Sequence, residues 1–315
     1  MTEQTQTNPQ EELRTLLLID GANFLYRAHH ALEGFGKSFN APDGRPVGAF
    51  MTFATMIKKA KDLSGADAIA IIFESTTKTF RDEIFPEYKA TRKPTPSEIK
   101  VQMEFVRDIF PLMGVPVLWA DGYEADDLLC SYGSNPADGW RVVMGSSDKD
   151  LAQSIGPRTV QLDPHGWGVR DEAKVLEKFK VGPAMIAQFL ALQGDSVDNI
   201  PGVDRCGPGT SAKLLNKYGS IEGIFANVEA QSPALRAGLE EARDRVEGLL
   251  KLTTAVTSLP LPMMPDEILS ANYNPDWASA LAALIPLGTR KLIERAQLGV
   301  EALEAKKLRM MAAKP

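Results

Sequence analysis

The stretch Thr-Leu-Leu-Leu-Ile-Asp-Gly, residues 15–21, decides the fold of this chain. A short apolar run that stops at an acidic residue and a glycine is typical of a strand buried on both faces and followed by a turn. The pattern recurs, and the predicted strands are Thr15–Ile19, Ala68–Phe73, Val115–Trp119, Arg141–Met144 and Thr159–Leu162. Helical periodicity separates them over Val47–Leu63, Ser97–Met113 and Ala125 to about Tyr132. This alternation predicts an α/β fold with a mostly parallel central sheet flanked by helices.

Acidic residues follow three of the predicted strands. Asp20 follows the first strand, Glu74 the second and Asp148 the fourth. A single aspartate after a strand is a common turn former. The carboxyl ends of parallel strands, however, meet at the edge where open α/β sheets bind ligands. We therefore expect these side chains to converge in one acidic cavity.

A denser acidic group, Glu124-Ala-Asp-Asp127, leads from the third strand into the apolar start of a predicted helix. The helix dipole favours acids in a first turn, so the group could be a simple N-terminal cap. On a helix, Glu124 and Asp127 share one face, and Asp126 points about 100° away. Such a spread of oxygens could instead serve two adjacent hard cations.

The segment between the second strand and the next helix mixes cations with aromatic residues. Its members are Lys78, Phe80, Arg81, Phe85, Tyr88, Lys89, Arg92 and Lys93. This mixture suits phosphate neutralisation combined with base stacking. A solvated amphipathic helix would explain the same residues.

A glycine-rich region follows the predicted sheet. It opens with Asp195 and Asp198, two carboxylates at helical spacing, and continues with Gly202, Gly207 and Gly209. These glycines permit a tight turn whose amides can face a phosphate. We expect Thr210 to cap the following helix and Lys213 to add a cation there. The pattern resembles a helix–hairpin–helix that reads a nucleic-acid backbone.

Composition restricts the setting of the protein. The net charge of −6 by itself argues against a nucleic-acid partner, but setting aside the eight acids named above and Asp150 makes the balance positive. Two distant cysteines, Cys130 and Cys206, suit a reducing cytoplasm. With three histidines and no Cys-x-x-Cys, a zinc site is not expected. The polar start and the absence of an apolar run of about 20 residues predict no membrane association.

In combination, these motifs resemble the 5′-nuclease family, which includes the 5′-3′ exonuclease domain of DNA polymerase I and free-standing bacterial and phage flap endonucleases. The resemblance rests on Ile19-Asp-Gly21, Thr79-Phe-Arg-Asp-Glu83, Tyr88-Lys89 with Arg92, Glu124–Asp127, Asp148-Lys-Asp150 and Gly194–Val203. It runs from about Leu16 to Leu261, and no polymerase domain is expected. It implies a PIN-like core and a structure-specific 5′ nuclease that hydrolyses DNA phosphodiesters with two Mg²⁺ or Mn²⁺ ions, in replication or repair.

The resemblance also implies a role for each matching position. The first ion is expected at Asp20, Glu124, Asp126 and Asp148, and the second at Asp127, Asp150, Asp195 and Asp198. The catalytic arch that grips the scissile phosphate is expected to include Arg81, Tyr88, Lys89 and Arg92. The turn with Gly202, Gly207, Gly209, Thr210 and Lys213 matches a helix–three-turn–helix that holds duplex DNA and can bind K⁺.

Glu74 departs from the family pattern, which usually has aspartate at this position. Glutamate keeps the charge but adds a methylene, so its oxygens reach about 1.5 Å further. We expect Glu74 to ligate a metal or to orient a metal-bound water. The looser geometry would favour Mn²⁺ over Mg²⁺, because Mg²⁺ demands a near-ideal octahedron.

The expected organisation has four parts. They are a flexible leader (1–14), an α/β nuclease core (15–180) with an arch (75–100), a helical DNA-binding region (181–300) with its turn at 200–219, and a basic tail (301–315). The expected partner is 5′-flap, nicked or branched duplex DNA, bound by a monomer. The alternatives are a catalytically weakened structure-specific DNA-binding protein and a metal-dependent RNase or phosphatase. The eight acids besides Glu74 argue against a pure binder, because carboxylates facing DNA would repel it.

Overall fold

The structure is a computed structural model that describes residues 13–33 and 39–297, and the single positions 301, 305 and 309. The expected leader, except for Leu13 and Arg14, and most of the expected basic tail lie outside the described residues. Within the described residues, the strands are β1 (Arg14–Asp20), β2 (Ala68–Ile72), β3 (Val117–Leu118), β4 (Trp140–Gly145), β5 (Thr159–Asp163) and β6 (Gly168–Arg170).

The six strands form one sheet in the order β3-β2-β1-β4-β5-β6. Neighbouring strands from β3 to β5 run parallel, and only β6 is antiparallel to its neighbour β5. In the centre, Leu18 of β1 lies opposite Ala70 of β2 and Met144 of β4. The predicted α/β class with a mostly parallel sheet is confirmed.

Helices account for most of the remaining described chain. They are α1 (Gly21–Glu33), α2 (Gly48–Ser64), α3 (Phe80–Ile84), α4 (Ser97–Ile109), α5 (Ala125–Ser134), α6 (Glu172–Phe179), α7 (Ile186–Gln193), α8 (Pro208–Tyr218), α9 (Ile221–Ala226), α10 (Pro233–Ala242), α11 (Val246–Thr253), α12 (Pro265–Asn272) and α13 (Trp277–Leu284). Short 3₁₀ turns occupy Asp150–Ser154, Pro183–Met185, Val228–Ala230 and Ile285–Leu287. Within the described part of the chain, no helix is both long and apolar enough to cross a bilayer.

Both faces of the sheet are covered, which explains the unbroken apolar run of β1. Leu16 and Leu18 pack into the cluster that contains α5 and the later helices, whereas Leu17 and Ile19 pack into the cluster with α1, α2 and α4. Successive side chains along β1 therefore pack alternately into the two cores, and all four are fully buried. At roughly 25 cal/mol per Å² of apolar surface removed from water, this burial is the main driving force for the fold.

The helices after residue 180 share the core of the sheet. The cluster that holds Leu128 and Leu129 of α5 continues through Phe189 of α7 and Leu215 of α8 to Leu249 of α11. The helical region therefore has no separate apolar core, and its position relative to the strand ends is fixed by packing.

Several local expectations were wrong. The chain does not turn after β1. It enters α1 directly at Gly21, because the Asp20 carboxylate accepts the backbone N–H of Asn23 at 3.0 Å and so begins the helix. The exposed three-residue strand β6 carries too little pattern to predict. Thr210 does not cap α8, because Gly207 is the N-cap and Pro208 the first helical residue.

The glycines of the 202–209 turn differ in what they require. Gly202 has φ +65°, and a Cβ there would lie 2.5 Å from the backbone nitrogen of Gly194. Gly207 has φ −62°, and a Cβ built on it meets no atom within 4 Å. Only the first position therefore needs glycine to form the fold.

We expect Gly202→Ala to lower the free energy of unfolding by about 2 kcal/mol or more, because it combines a left-handed conformation with a backbone overlap. The matched Gly207→Ala variant should change it by less than about 1 kcal/mol. Urea unfolding followed by circular dichroism measures both values. Equal losses would show that the turn does not depend on the close approach of Gly202 to Gly194.

Candidate metal centre

The predicted convergence of acids at one edge of the sheet is confirmed. Asp20 ends β1, Glu74 follows β2 by two residues, and Asp148 follows β4 by three. The Asp20 carboxyl is buried, and its pKa is raised to about 6, first by burial and then by the charges of Asp148 and Glu74. Glu74 itself is exposed at the rim.

A first acidic group consists of Asp20, Asp126 and Asp148. Burial, and after it the charges of Asp148 and Asp20, raise the pKa of Asp126 well above its usual range. Two carboxyls whose ionisation is disfavoured, beside the carboxylate of Asp148, form a site that a cation would stabilise. Asp126 lies in the first turn of α5, which begins where the sequence predicts it.

A second acidic group consists of Asp150, Asp195 and Asp198. One carboxylate oxygen from each lies within 4.8 Å of the others. Burial, followed by the charge of Asp148, raises the pKa of Asp150 to about 7. Asp150 Oδ1 is buried and has no hydrogen-bond donor within the described residues. An orphaned carboxylate oxygen among other carboxylates fits a divalent cation, which would supply the missing partner.

Cations from the segment after α3 lie directly on these acids. Lys89 Nζ pairs with Glu124 Oε1, and the Arg92 guanidinium pairs with Asp198 Oδ1. The buried Tyr88 hydroxyl lies 3.1 Å from Glu124 Oε2 and 3.3 Å from Asp198 Oδ2, so it bridges the α5 start and the 194–200 loop. Arg81 Nη1 also lies near Glu124 Oε2, so the structure brings all four expected arch residues to the acidic cluster.

Arg81 and Asp127 form a buried ion pair beside the acidic cluster. The Arg81 guanidinium is buried and binds both oxygens of Asp127, at 2.7 and 2.8 Å, and the carbonyl oxygen of Leu252 at 2.9 Å. The same carboxylate also accepts the backbone N–H groups of Glu124 and Val256. These four hydrogen bonds leave the Asp127 carboxylate no lone pair for direct binding of a metal. Arg81 Nη1 also lies 3.4 Å from Glu124 Oε2. Both residues hold the fold together.

Two polar residues that the sequence analysis missed fix the loop carrying Asp148. Ser146 Oγ donates to Asp20 Oδ2 at 2.8 Å and accepts the Asp148 N–H at 3.1 Å. Gln161 Nε2 donates to the carbonyl oxygens of Ser146 at 2.9 Å and Asp148 at 2.5 Å. A glutamine inside an apolar strand was the available signal for Gln161.

Lys149 was also missed, although it lies between Asp148 and Asp150 in the sequence. Its Nζ is 2.5 Å from Asp195 Oδ2. Lys149, Asp195 and Pro208 line a cleft of about 700 Å³ that connects the second acidic group with the start of α8. There, Gly207, Gly209 and Lys213 are exposed, Thr210 is half-buried, and Gly202 is buried.

Two family models match the chain. The 5′-3′ exonuclease N-terminal resolvase-like domain matches residues 15–180, and the 5′-3′ exonuclease C-terminal SAM fold matches residues 181–276. The 5′-3′ exonuclease of Aquifex aeolicus is 33% identical over 243 residues, which is 77% of this chain and 83% of that protein. The thermostable DNA polymerase I of Thermus aquaticus is 36% identical over 247 residues, 78% of this chain but only 29% of the polymerase.

Solved structures share the fold at low sequence identity. A bacteriophage T5 flap endonuclease in a pseudo-enzyme–product complex with DNA and metal ions has a TM-score of 0.64 and 18% identity, covering 92% of this chain and 100% of that one. Flap endonuclease-1 of Methanococcus jannaschii has a TM-score of 0.55 and 17% identity, covering 93% of each chain. These similarities support the α/β architecture described above.

Neighbouring aspartates in α5 should respond oppositely to the same change. Asp127→Asn should lower the free energy of unfolding by about 3 kcal/mol or more, because the buried Arg81 loses its charged partner. Asp126→Asn should leave it unchanged or raise it, because it removes a crowded carboxylate. Chemical unfolding in EDTA measures both. Similar losses in the two variants would contradict the separate roles.

The raised pKa values of Asp20 and Asp150 predict a pH dependence of stability. Both exceed the value of about 3.9 for an unfolded aspartate, so the folded protein binds protons more tightly than the unfolded chain. This contribution stabilises at low pH and is lost as the pH rises from about 4 to about 7. In EDTA, the Tm difference between Asp150→Asn and the parent should therefore grow in favour of the variant between about pH 5 and pH 8. A difference independent of pH would exclude a raised pKa at Asp150.

Proposed function

Because the chain belongs to the 5′-3′ exonuclease family and is a nuclease, we propose that its substrates are 5′-flap, nicked and branched duplex DNA. The observation that carries the proposal is the pair of acidic groups at the sheet edge, with Asp148 acting on both. Two adjacent groups of carboxylates suit two cations that bind one phosphate between them. We propose that the protein acts as a monomer in the cytoplasm, in DNA replication or repair.

The carboxylates divide naturally between two ions. We assign the first ion to Asp20, Asp126 and Asp148, with Glu124 and Glu74 beside them, and the second to Asp150, Asp195 and Asp198. Oxygen-only donors suit Mg²⁺ or Mn²⁺. When bound, such a pair supplies an activated water and stabilises the charge that develops on the scissile phosphate.

Lys89, Arg92 and Tyr88 are proposed to act on the substrate. Lys89 pairs with Glu124, Arg92 pairs with Asp198, and the Tyr88 hydroxyl donates to both carboxylates. With divalent ions held by those carboxylates, Lys89 and Arg92 would be free to pair with a phosphate of the DNA backbone. Lys89 and Arg92 would then bind and orient the scissile phosphate. The Tyr88 hydroxyl would hold the Glu124 and Asp198 carboxylates in position.

The start of α8 is proposed to hold the duplex. Gly207 and Gly209 are exposed and leave room for close approach of a phosphate, and Lys213 adds a charge on the same helix. The 700 Å³ cleft past Lys149 connects this surface to the acids. We assign the K⁺ ion implied by the family resemblance to the same turn.

We expect Mg²⁺- or Mn²⁺-dependent cleavage of a 5′-flap substrate, with none in EDTA. Asp148→Asn should slow single-turnover cleavage roughly 10³-fold, equivalent to about 4 kcal/mol, because both acidic groups lose a shared charge. Denaturing gels of end-labelled flap DNA measure the rate.

The matched control is Asp138→Asn, which removes an exposed carboxylate just before β4, at the opposite edge of the sheet. It should cleave at the parent rate. If Asp148→Asn cleaves as fast as Asp138→Asn while both remain folded, the acidic cluster is not the catalytic site.

A further inference from the structure

A cavity of about 500 Å³ lies between the β5–β6 hairpin and α6. Three of its lining residues are cations, Arg170, Lys174 and Lys178, and two are acids, Asp163 and Glu177. None of its residues belongs to the proposed metal centre or to the α8 turn. Because β5 runs parallel to β4, the hairpin that follows Asp163 emerges at the same edge of the sheet as the metal centre.

The three cations are not neutralised by acids. Among residues 13–33 and 39–297, none of them forms an ion pair. Instead, Lys174 Nζ donates to the carbonyl oxygen of Val169 at 2.5 Å, and Arg170 donates to Gln161 Oε1. Burial, and after it the charge of Arg170, lower the pKa of Lys178. Lys89, Arg92 and Lys149, by contrast, are each paired with a carboxylate.

Further cations surround the hairpin turn. Arg27 of α1 donates through Nε to the carbonyl oxygen of Pro164 at 2.9 Å and contacts His165. Lys59 of α2 lies 4.7 Å from the centroid of the Trp167 ring. Arg27 and Lys59 thus add two cations beside a cavity that is itself lined by three cations and two carboxylates. A surface of this kind attracts a polyanion, in a chain whose overall charge is negative.

A hydrogen-bonded chain connects this cavity to the metal centre. Arg170 binds the side-chain oxygen of Gln161, and the side-chain nitrogen of the same glutamine binds the carbonyl oxygen of Asp148. In addition, the charge of Lys149 contributes to the lowered pKa of Lys178. An anion bound to Arg170 would therefore be connected to the loop that carries the shared acid through Arg170 and Gln161.

We propose that this cavity binds a phosphate group of the DNA substrate other than the scissile one, through Arg170, Lys174 and Lys178. The inference rests on the proposed function, because it requires DNA at the metal centre. The phosphate is either a backbone diester of the strand being cut or its terminal 5′-monophosphate. Both present the same acceptor oxygens to lysine and arginine.

The test measures DNA affinity of Lys174→Ala/Lys178→Ala by fluorescence anisotropy in EDTA, over a series of salt concentrations. Both lysines are exposed on one helix, so the variant should fold normally. Binding should weaken about fivefold or more, and the slope of log K against log salt should fall by about 1 for each phosphate that the variant no longer binds. Lys174→Arg/Lys178→Arg should restore both quantities, because it keeps the charges.

The matched control, Lys58→Ala/Arg141→Ala, removes two exposed cations outside the expected arch and DNA-binding region, one in α2 and one at the start of β4, and should bind like the parent. Flap DNA with a 5′-phosphate and with a 5′-hydroxyl distinguishes the two sources. Weaker binding of both substrates assigns the cavity to the backbone, and weaker binding of the phosphorylated end alone assigns it to the terminal group.

Two results would overturn the inference, and they are distinguishable. If the parent cleaves flap DNA but the Lys174/Lys178 variant binds with the affinity and salt slope of the control, only this inference falls. If the parent neither binds nor cleaves DNA in the presence of Mg²⁺ or Mn²⁺, the proposed function falls with it.

Discussion

Mutual repulsion between desolvated carboxylates is the constraint on which the rest of this structure depends. Asp20, Asp126, Asp148 and Asp150 are held close enough that burial and neighbouring charges disfavour ionisation at three of them. Folding tolerates this cost only because other parts of the molecule are rigid and supply counter-charge. The sheet provides the rigidity, since β1 and β4 are central strands buried on both faces.

The buried ion pair of Arg81 and Asp127 is the main support beside this repulsive cluster. It joins α3 to the start of α5, and through the Leu252 and Val256 backbone it also joins both to the last turn of α11 and to the segment after it. A buried pair of this kind adds little net stability compared with apolar residues, but removing one partner is costly. The ion pair instead fixes the position of the first turn of α5, and it thereby fixes the position of the neighbouring Asp126.

Sequence patterns predicted the strands and the convergence of acids, because a buried parallel strand and the residue after it are both local features. The roles of Asp126 and Asp127 could not be separated in this way. Adjacent carboxylates look alike in sequence, and the difference depends on Arg81, which lies 46 residues away from Asp127. The direct entry into α1 was missed because Asp20 has two functions, capping a helix and facing the acidic cavity. The local sequence pattern indicated only the second function, the contribution to the acidic cavity.

The apolar cluster shared by α5, α7 and α11 connects the two segments that the family models match separately. The two family models meet at residue 180, yet the side chains on either side of that point are packed into one core. If the chain were cut at residue 180, Leu16 and Leu18 would be partly uncovered on the face of the sheet that the later helices cover. Arg81 would also lose a hydrogen-bond acceptor, the carbonyl oxygen of Leu252. The boundary between the two models is thus one of sequence description, because the two segments share one apolar core. Recombination between relatives would have to exchange both segments together, or exchange their contacting surfaces as matched pairs.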